Sequence, residues 1–94
     1  MAYNLIIAYD LIKPGQNYET VRAKIKSLGR WHQPQYSLFY VHTDKTPQQA
    51  SAAIVSIMDA KDKLAVIDAK LVILHPAVAA DIAAINKVWF TQAA

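Results

Sequence analysis

The sequence predicts an α+β fold, and three observations carry the prediction. The run from Tyr3 to Tyr9 is too rich in Leu, Ile and Tyr for a solvated strand, so it reads as a central strand buried on both faces. Three later segments space their apolar residues as helices do, and stretches of aromatic and β-branched residues lie between them. No linker, low-complexity stretch or internal repeat divides the 94 residues, so residues 1–94 are expected to form one domain.

The first strand reaches a single acidic residue, Asp10, before Pro14 and Gly15 break the pattern. A carboxylate at the carboxyl end of a buried strand serves either as a metal ligand or general base, or simply as a strand end. Lys13 to Gln16 read as a Pro-Gly turn. Asn17 is then a suitable N-cap for a helix running to about Ser27 or Leu28, ended by Gly29. Tyr18, Val21, Ile25 and Leu28 form its apolar face. Beside that face Arg22, Lys26 and Arg30, spaced four apart, make a basic stripe, either a solvated flank or a ridge that tracks phosphates.

Residues 31 to 43 hold Trp31, Tyr36, Phe39, Tyr40 and Val41, with Ser37 and Thr43 between them, a composition that favours extended structure. Pro34 cannot sit in mid-sheet, which predicts two short strands in a hairpin bent near that residue. Thr46, Pro47 and Gln49 supply an N-cap, a proline at the first helical position and a capping-box partner. The second helix should present Ala50, Ile54, Ile57 and Met58 on one face and end near Ala60. Leu64 to Ala69 is a further strand after the turn residues Asp62 and Lys63, with Leu71 to Leu74 extending it or forming another. Beyond Pro76, Val78, Ile82, Ile85 and Trp89 recur at helical spacing and predict an amphipathic helix over 77–90. Trp89 and Phe90 either close the core or meet a partner.

Strand, helix, two strands, helix, strand is the order of the split βαβ, or ferredoxin-like, βαββαβ fold, here with an additional C-terminal helix. Right-handed crossovers put the first two helices on one face of an antiparallel sheet and leave the other bare. A domain of this size buries only roughly 60 to 65% of its unfolded surface, yet 54% of the residues are hydrophobic and 18% charged. Two copies packed sheet to sheet would cover the excess, so a homodimer is expected. The chain has no cysteine, which excludes disulfides and thiolate metal sites. Its apolar runs fall short of the roughly 20 residues of a membrane span, and no signal peptide opens it, so a cytoplasmic location with no membrane partner is expected. The net charge of +3 permits nucleic-acid binding without demanding it.

The residues also resemble a family. Tyr9, Asp10 and Leu11, then Lys13, Pro14, Gly15 and Tyr18, are followed by Gly29, Trp31, Ser37 in an aromatic strand, Gln49, and Asp59 with Asp62 before a Leu-Val strand. In that order, over residues 3 to 69, they are similar to the small bacterial proteins labelled SinR-like, relatives of the second core CRISPR adaptation protein, the small CRISPR-associated endonuclease. The resemblance implies a ferredoxin-like homodimer that binds RNA or DNA and cleaves it with a divalent metal. Asp10 matches the family's metal-binding aspartate, and one from each subunit would share a Mg²⁺ near the two-fold axis. Ser37 matches a second-strand serine that helps hold the phosphate, which makes Asp10 and Ser37 the candidate catalytic residues. Lys13, Arg22, Lys26 and Arg30 are the candidate nucleic-acid contacts. The chain departs from the family where Tyr40 replaces a glutamate and where Trp31, His32 and Gln33 replace an arginine-rich stretch.

His32, His42 and His75 are too dispersed for a local metal motif and read as structural or surface residues, and two glycines leave no phosphate-cradling loop. Tyr36, Phe39 and Tyr40 could stack bases on an open sheet or fill a core or interface. Two other classes of function fit the same sequence. One is a non-catalytic scaffold or toxin-antitoxin-type interaction module, the other a small-ligand sensor.

Overall fold

In the computed structural model, residues 2–11, 18–35, 37–71, 73, 75 and 78–90 are described. They form an α+β structure with a four-stranded antiparallel sheet. Its elements are β1 (Tyr3–Asp10), α1 (Tyr18–Lys26), β2 (Gly29–Gln35), β3 (Leu38–Thr43), α2 (Pro47–Val55), β4 (Lys63–Asp68) and α3 (Ala79–Phe90). The strand order is β2-β3-β1-β4. The apolar opening run is thus central, paired with β3 on one side and β4 on the other.

Alternation along β1 divides its residues between two cores. Leu5, Ile7 and Tyr9 pack with Phe39 and Val41 of β3 under Val21 and Ile25 of α1 and Ala50 and Ile54 of α2. Ile6 points the other way, into a second cluster of Tyr40, Ile85, Val88 and Trp89. That second cluster alters an expectation. The sheet face opposite α1 and α2 is not wholly bare, because α3 lies over its β3 and β2 strands, while Ile67 of β4 stays exposed. Trp89 is buried edge-on against Tyr40, with ring centroids 5.3 Å apart. The apolar spacing of α3 gave Val78, Ile82, Ile85 and Trp89, but the side that docks is Ile85, Val88 and Trp89, while Val78 and Ile82 face outward.

Several boundaries move for local reasons. α1 stops at Lys26, and Ser27 and Leu28 close it with tight turn bonds, Leu28 N–H to the Ile25 carbonyl at 3.1 Å. Gly29 therefore opens β2 rather than capping the helix. A Cβ at Gly29 would run into the backbone carbonyl of His42, so the close approach of β2 to β3 is what requires a glycine there. The hairpin is present, and its register slips between His32 and Gln35, around Pro34, which has no N–H to give the ladder. Ser37 lies in the turn of that hairpin, not in a strand.

α2 carries the expected capping box. Gln49 N–H donates to Thr46 Oγ1 (3.1 Å), and Thr46 N–H donates to Gln49 Oε1 (2.9 Å). It ends at Val55 rather than near Ala60, and Ile57 and Met58 reach the core from a turn closed by bonds to the carbonyls of Ile54 and Val55. Lys63, expected in a turn, is the first residue of β4. Leu71 and Ile73 extend no strand and are largely exposed. The Lys13–Gln16 turn, the Asn17 cap, Tyr36, Val72, Leu74 and Pro76 lie outside the described residues, as does the side chain of Phe90.

Candidate functional site

Two of the candidate residues meet. Asp10 is exposed at the carboxyl end of β1, and the antiparallel turn from β2 to β3 brings Ser37 to the same end of the sheet, where the Ser37 carbonyl accepts from Tyr9 N–H at 3.1 Å. Both line an open depression of about 400 Å³ whose other residues include Gln35, Leu38, Lys63 and Ala65. Lys63 stands directly opposite Asp10 in the β1–β4 register. Sequence reasoning passed over Lys63, because its place opposite Asp10 depends on β4 returning antiparallel beside β1. Its position two residues after Lys61 in a turn gave no sign of that.

Ala8, Tyr9 and Leu64 complete the lining of this depression. Its polar groups are a carboxylate, a hydroxyl, an amide and an ammonium. These suit an anionic ligand that bears oxygen atoms, with Lys63 as a point charge and Ser37 and Gln35 as hydrogen-bond donors. Asp10 repels such a ligand unless a cation stands between them.

The basic candidates do not form one ridge. Arg22 is half-buried on α1 and reaches Glu19 Oε1 at 3.5 Å. Lys26 lies on the same helix with its ammonium 4.5 Å from the centroid of the Trp31 ring, a cation–π contact at the surface. Arg30 is in β2, and alternation along that strand puts it opposite His42 on the face that α3 covers, across the sheet from α1. Spacing of four implies one stripe only while a helix continues, and the helix has ended four residues earlier. Lys13 lies outside the described residues.

The histidines each find a separate place. His32 Nε2 donates to Asp81 Oδ1 of α3 at 2.9 Å, tying β2 to the start of that helix. His42 Nδ1 donates to Asn4 Oδ1 at 2.7 Å. Burial holds the His42 pKa below its usual value, the Arg30 guanidinium lowers it further, and Asp44 opposes them. His75 is exposed at the mouth of a second depression of about 340 Å³, lined also by Tyr40, Asp81 and Pro34. Burial and the Asp81 carboxylate push the Tyr40 phenol above its usual pKa, so it stays a neutral hydroxyl. Among the described residues no three His, Asp or Glu side chains gather as a metal cage. Phe39 lies in one core and Tyr40 in the other, so neither offers a ring face for base stacking on an open sheet.

No helix among the described residues is long and apolar enough to cross a membrane. Comparison with protein-family models, curated proteins and solved structures finds no match to this chain.

Proposed function

We propose that the chain is a ferredoxin-like relative of the CRISPR-associated endonucleases that binds nucleic acid, taking a backbone phosphate in the depression between Asp10, Ser37 and Lys63. The observation that carries this reading is the gathering of those three residues around one depression at one end of the sheet from three separate elements. The fold assignment is supported by the strand order β2-β3-β1-β4 with every neighbouring pair antiparallel. The family assignment is supported by the ordered motifs from Tyr9 to Asp62.

The donor set suits a hard divalent cation in one specific way. Mg²⁺ is commonly held by one or two carboxylates together with the phosphates of its substrate, and keeps several waters. Asp10 supplies one carboxylate, and Ser37 and Gln35 supply neutral oxygens in the same depression. Bound there, the ion would neutralise the repulsion between Asp10 and a phosphate. Lys63 meets the phosphate directly, and the Ser37 hydroxyl donates to one of its oxygens. A Mg²⁺ shared by two Asp10 residues calls for sheets packed face to face, and α3 occupies the face over β2 and β3. Asp10, Ser37 and Lys63 of the proposed site all come from one chain.

The test is the binding of labelled single-stranded RNA and DNA, measured with Mg²⁺ and with a chelator, and with the same samples examined for cleavage. Lys63→Gln is expected to weaken binding about tenfold, close to 1.4 kcal/mol, and to lower the salt slope by about one. Asp10→Asn is expected to remove the effect of Mg²⁺ while leaving the far-UV spectrum unchanged. Binding that neither variant alters would overturn the proposal.

A further inference from the structure

A sheet of order β2-β3-β1-β4 has two edges. The β2 edge is blunted, since it carries Pro34 and a register slip. The β4 edge carries neither. Its six residues keep an unbroken register with β1, and its middle is Leu64, Ala65, Val66 and Ile67, with charges only at the ends. Strands of this kind are templates for pairing with another chain.

The groups it offers can be identified. Ala69 N–H donates to the Asn4 carbonyl at 2.9 Å, and the β1–β4 register continues to set those two residues opposite each other. Antiparallel ladders bond at every second residue, so Lys63, Ala65 and Ile67 face β1, and the N–H and C=O groups of Leu64, Val66 and Asp68 point outward. The surface on either side of that edge is apolar. Ile67 is 48% exposed on one face of the sheet, and Val55 of α2 is 53% exposed on the other, beside Val66 in a groove that Pro47, Ser51 and Ala52 also line.

We propose that two copies of this chain pair through β4, antiparallel about a two-fold axis at Val66, into one continuous eight-stranded sheet. The strand is complementary to itself in this register. Val66 meets Val66 and Leu64 meets Asp68 of the other copy, so all three outward residues on each strand take part in six backbone hydrogen bonds. Ala65 meets Ile67 twice, which covers the exposed isoleucine. Just beyond the strand, Asp62 comes opposite Lys70. Moving the axis to Ala65 leaves four bonds within the strand and sets Asp62 opposite Asp68, a like-charge pair on both sides.

This pairing goes beyond the nucleic-acid reading and stands without it. It has one consequence for that reading. Lys63 would meet Ala69 of the other copy, so the two ends of the sheet that carry Asp10 lie about 20 Å apart along the strands, and two separate depressions result.

Sedimentation or light scattering of the full chain tests the proposal. The chain is expected at twice its 10.5 kDa mass. Ile67→Lys, a change at an exposed side chain, is expected to give a monomer with an unchanged far-UV spectrum. Val66→Pro, which removes an outward N–H and no bond to β1, is expected to do the same. The chain has no cysteine of its own, so the Ala65→Cys/Ile67→Cys double variant should close into a covalent dimer on oxidation. A monomeric wild-type chain, or an Ile67→Lys variant that remains dimeric, overturns the proposal. Either result leaves the binding of nucleic acid at Asp10 and Lys63 to its own assay.

Discussion

His42 shows how a single side chain registers its surroundings. It lies half-buried on the face beneath α3, donates to Asn4, and stands opposite Arg30 in the neighbouring strand. Burial first, and then the guanidinium, favour its neutral form. The folded state therefore takes up a proton less readily than the unfolded state, whose histidine titrates near pH 6.5. The stability that comes from keeping His42 neutral is complete above about pH 6.5 and is lost as the pH falls through the lower, folded value. The melting temperature of the wild-type chain is expected to fall relative to that of His42→Gln between about pH 7 and pH 5. Parallel melting curves for the two proteins over that range would count against this account. Lys63 depends on its neighbour across the sheet. Nothing about a lysine after Lys61 and Asp62 marks it in the sequence, and it acquires meaning only through the residue across the strand pair, Asp10.

Among the elements, α2 is the one whose start is written most completely in its own residues. Thr46 and Gln49 satisfy each other's backbone N–H groups, Pro47 has none to satisfy, and the structure shows both bonds of the box. Thr46→Ala is expected to cost about 1 kcal/mol, read as a lower denaturation midpoint with an unchanged slope. A change in slope would mean that the cap governs more than its own helix. The hairpin is legible for a similar reason, since Pro34 forbids a continuous ladder and the register slips around it. Helix ends are less legible. α2 stops at Val55 although Ile57 and Met58 continue its apolar spacing, because a tight turn delivers both residues to the same core.

For the molecule as a whole, α3 decides how the sheet is used. The order of strands and helices predicts one covered face and one open face, and the composition supplies more apolar residues than one core absorbs. The chain meets part of that excess itself, by laying Ile85, Val88 and Trp89 over Tyr40, Leu38 and Ile6, while Val55, Ile67, Leu71 and Ile73 stay exposed. α3 thereby covers the sheet face over β2 and β3, while Ile67 of β4 stays exposed. Trp89→Ala is expected to cost about 3–5 kcal/mol, a large share of the 5–15 kcal/mol that holds a domain of this kind together. Chemical denaturation should show that loss in a single transition, with both cores unfolding together. A loss below about 1 kcal/mol would mean that α3 docks only loosely.

The features legible in the sequence are those that act over a few residues. These are the alternation that gives β1 two apolar faces, the capping box of α2, the interrupted hairpin at Pro34 and the helical spacing of α3. Each follows from backbone geometry and from hydrogen bonds between near neighbours in the chain. Long-range packing sets the rest: α3 lies over β2 and β3 on the second face, Arg30 leaves the α1 stripe for the opposite side of the sheet, and Asp10, Ser37 and Lys63 share one depression. Those outcomes depend on which apolar surfaces remain uncovered once the sheet has formed and on which strands become neighbours. Both are set by burial between residues far apart in the chain, where local periodicity carries no information.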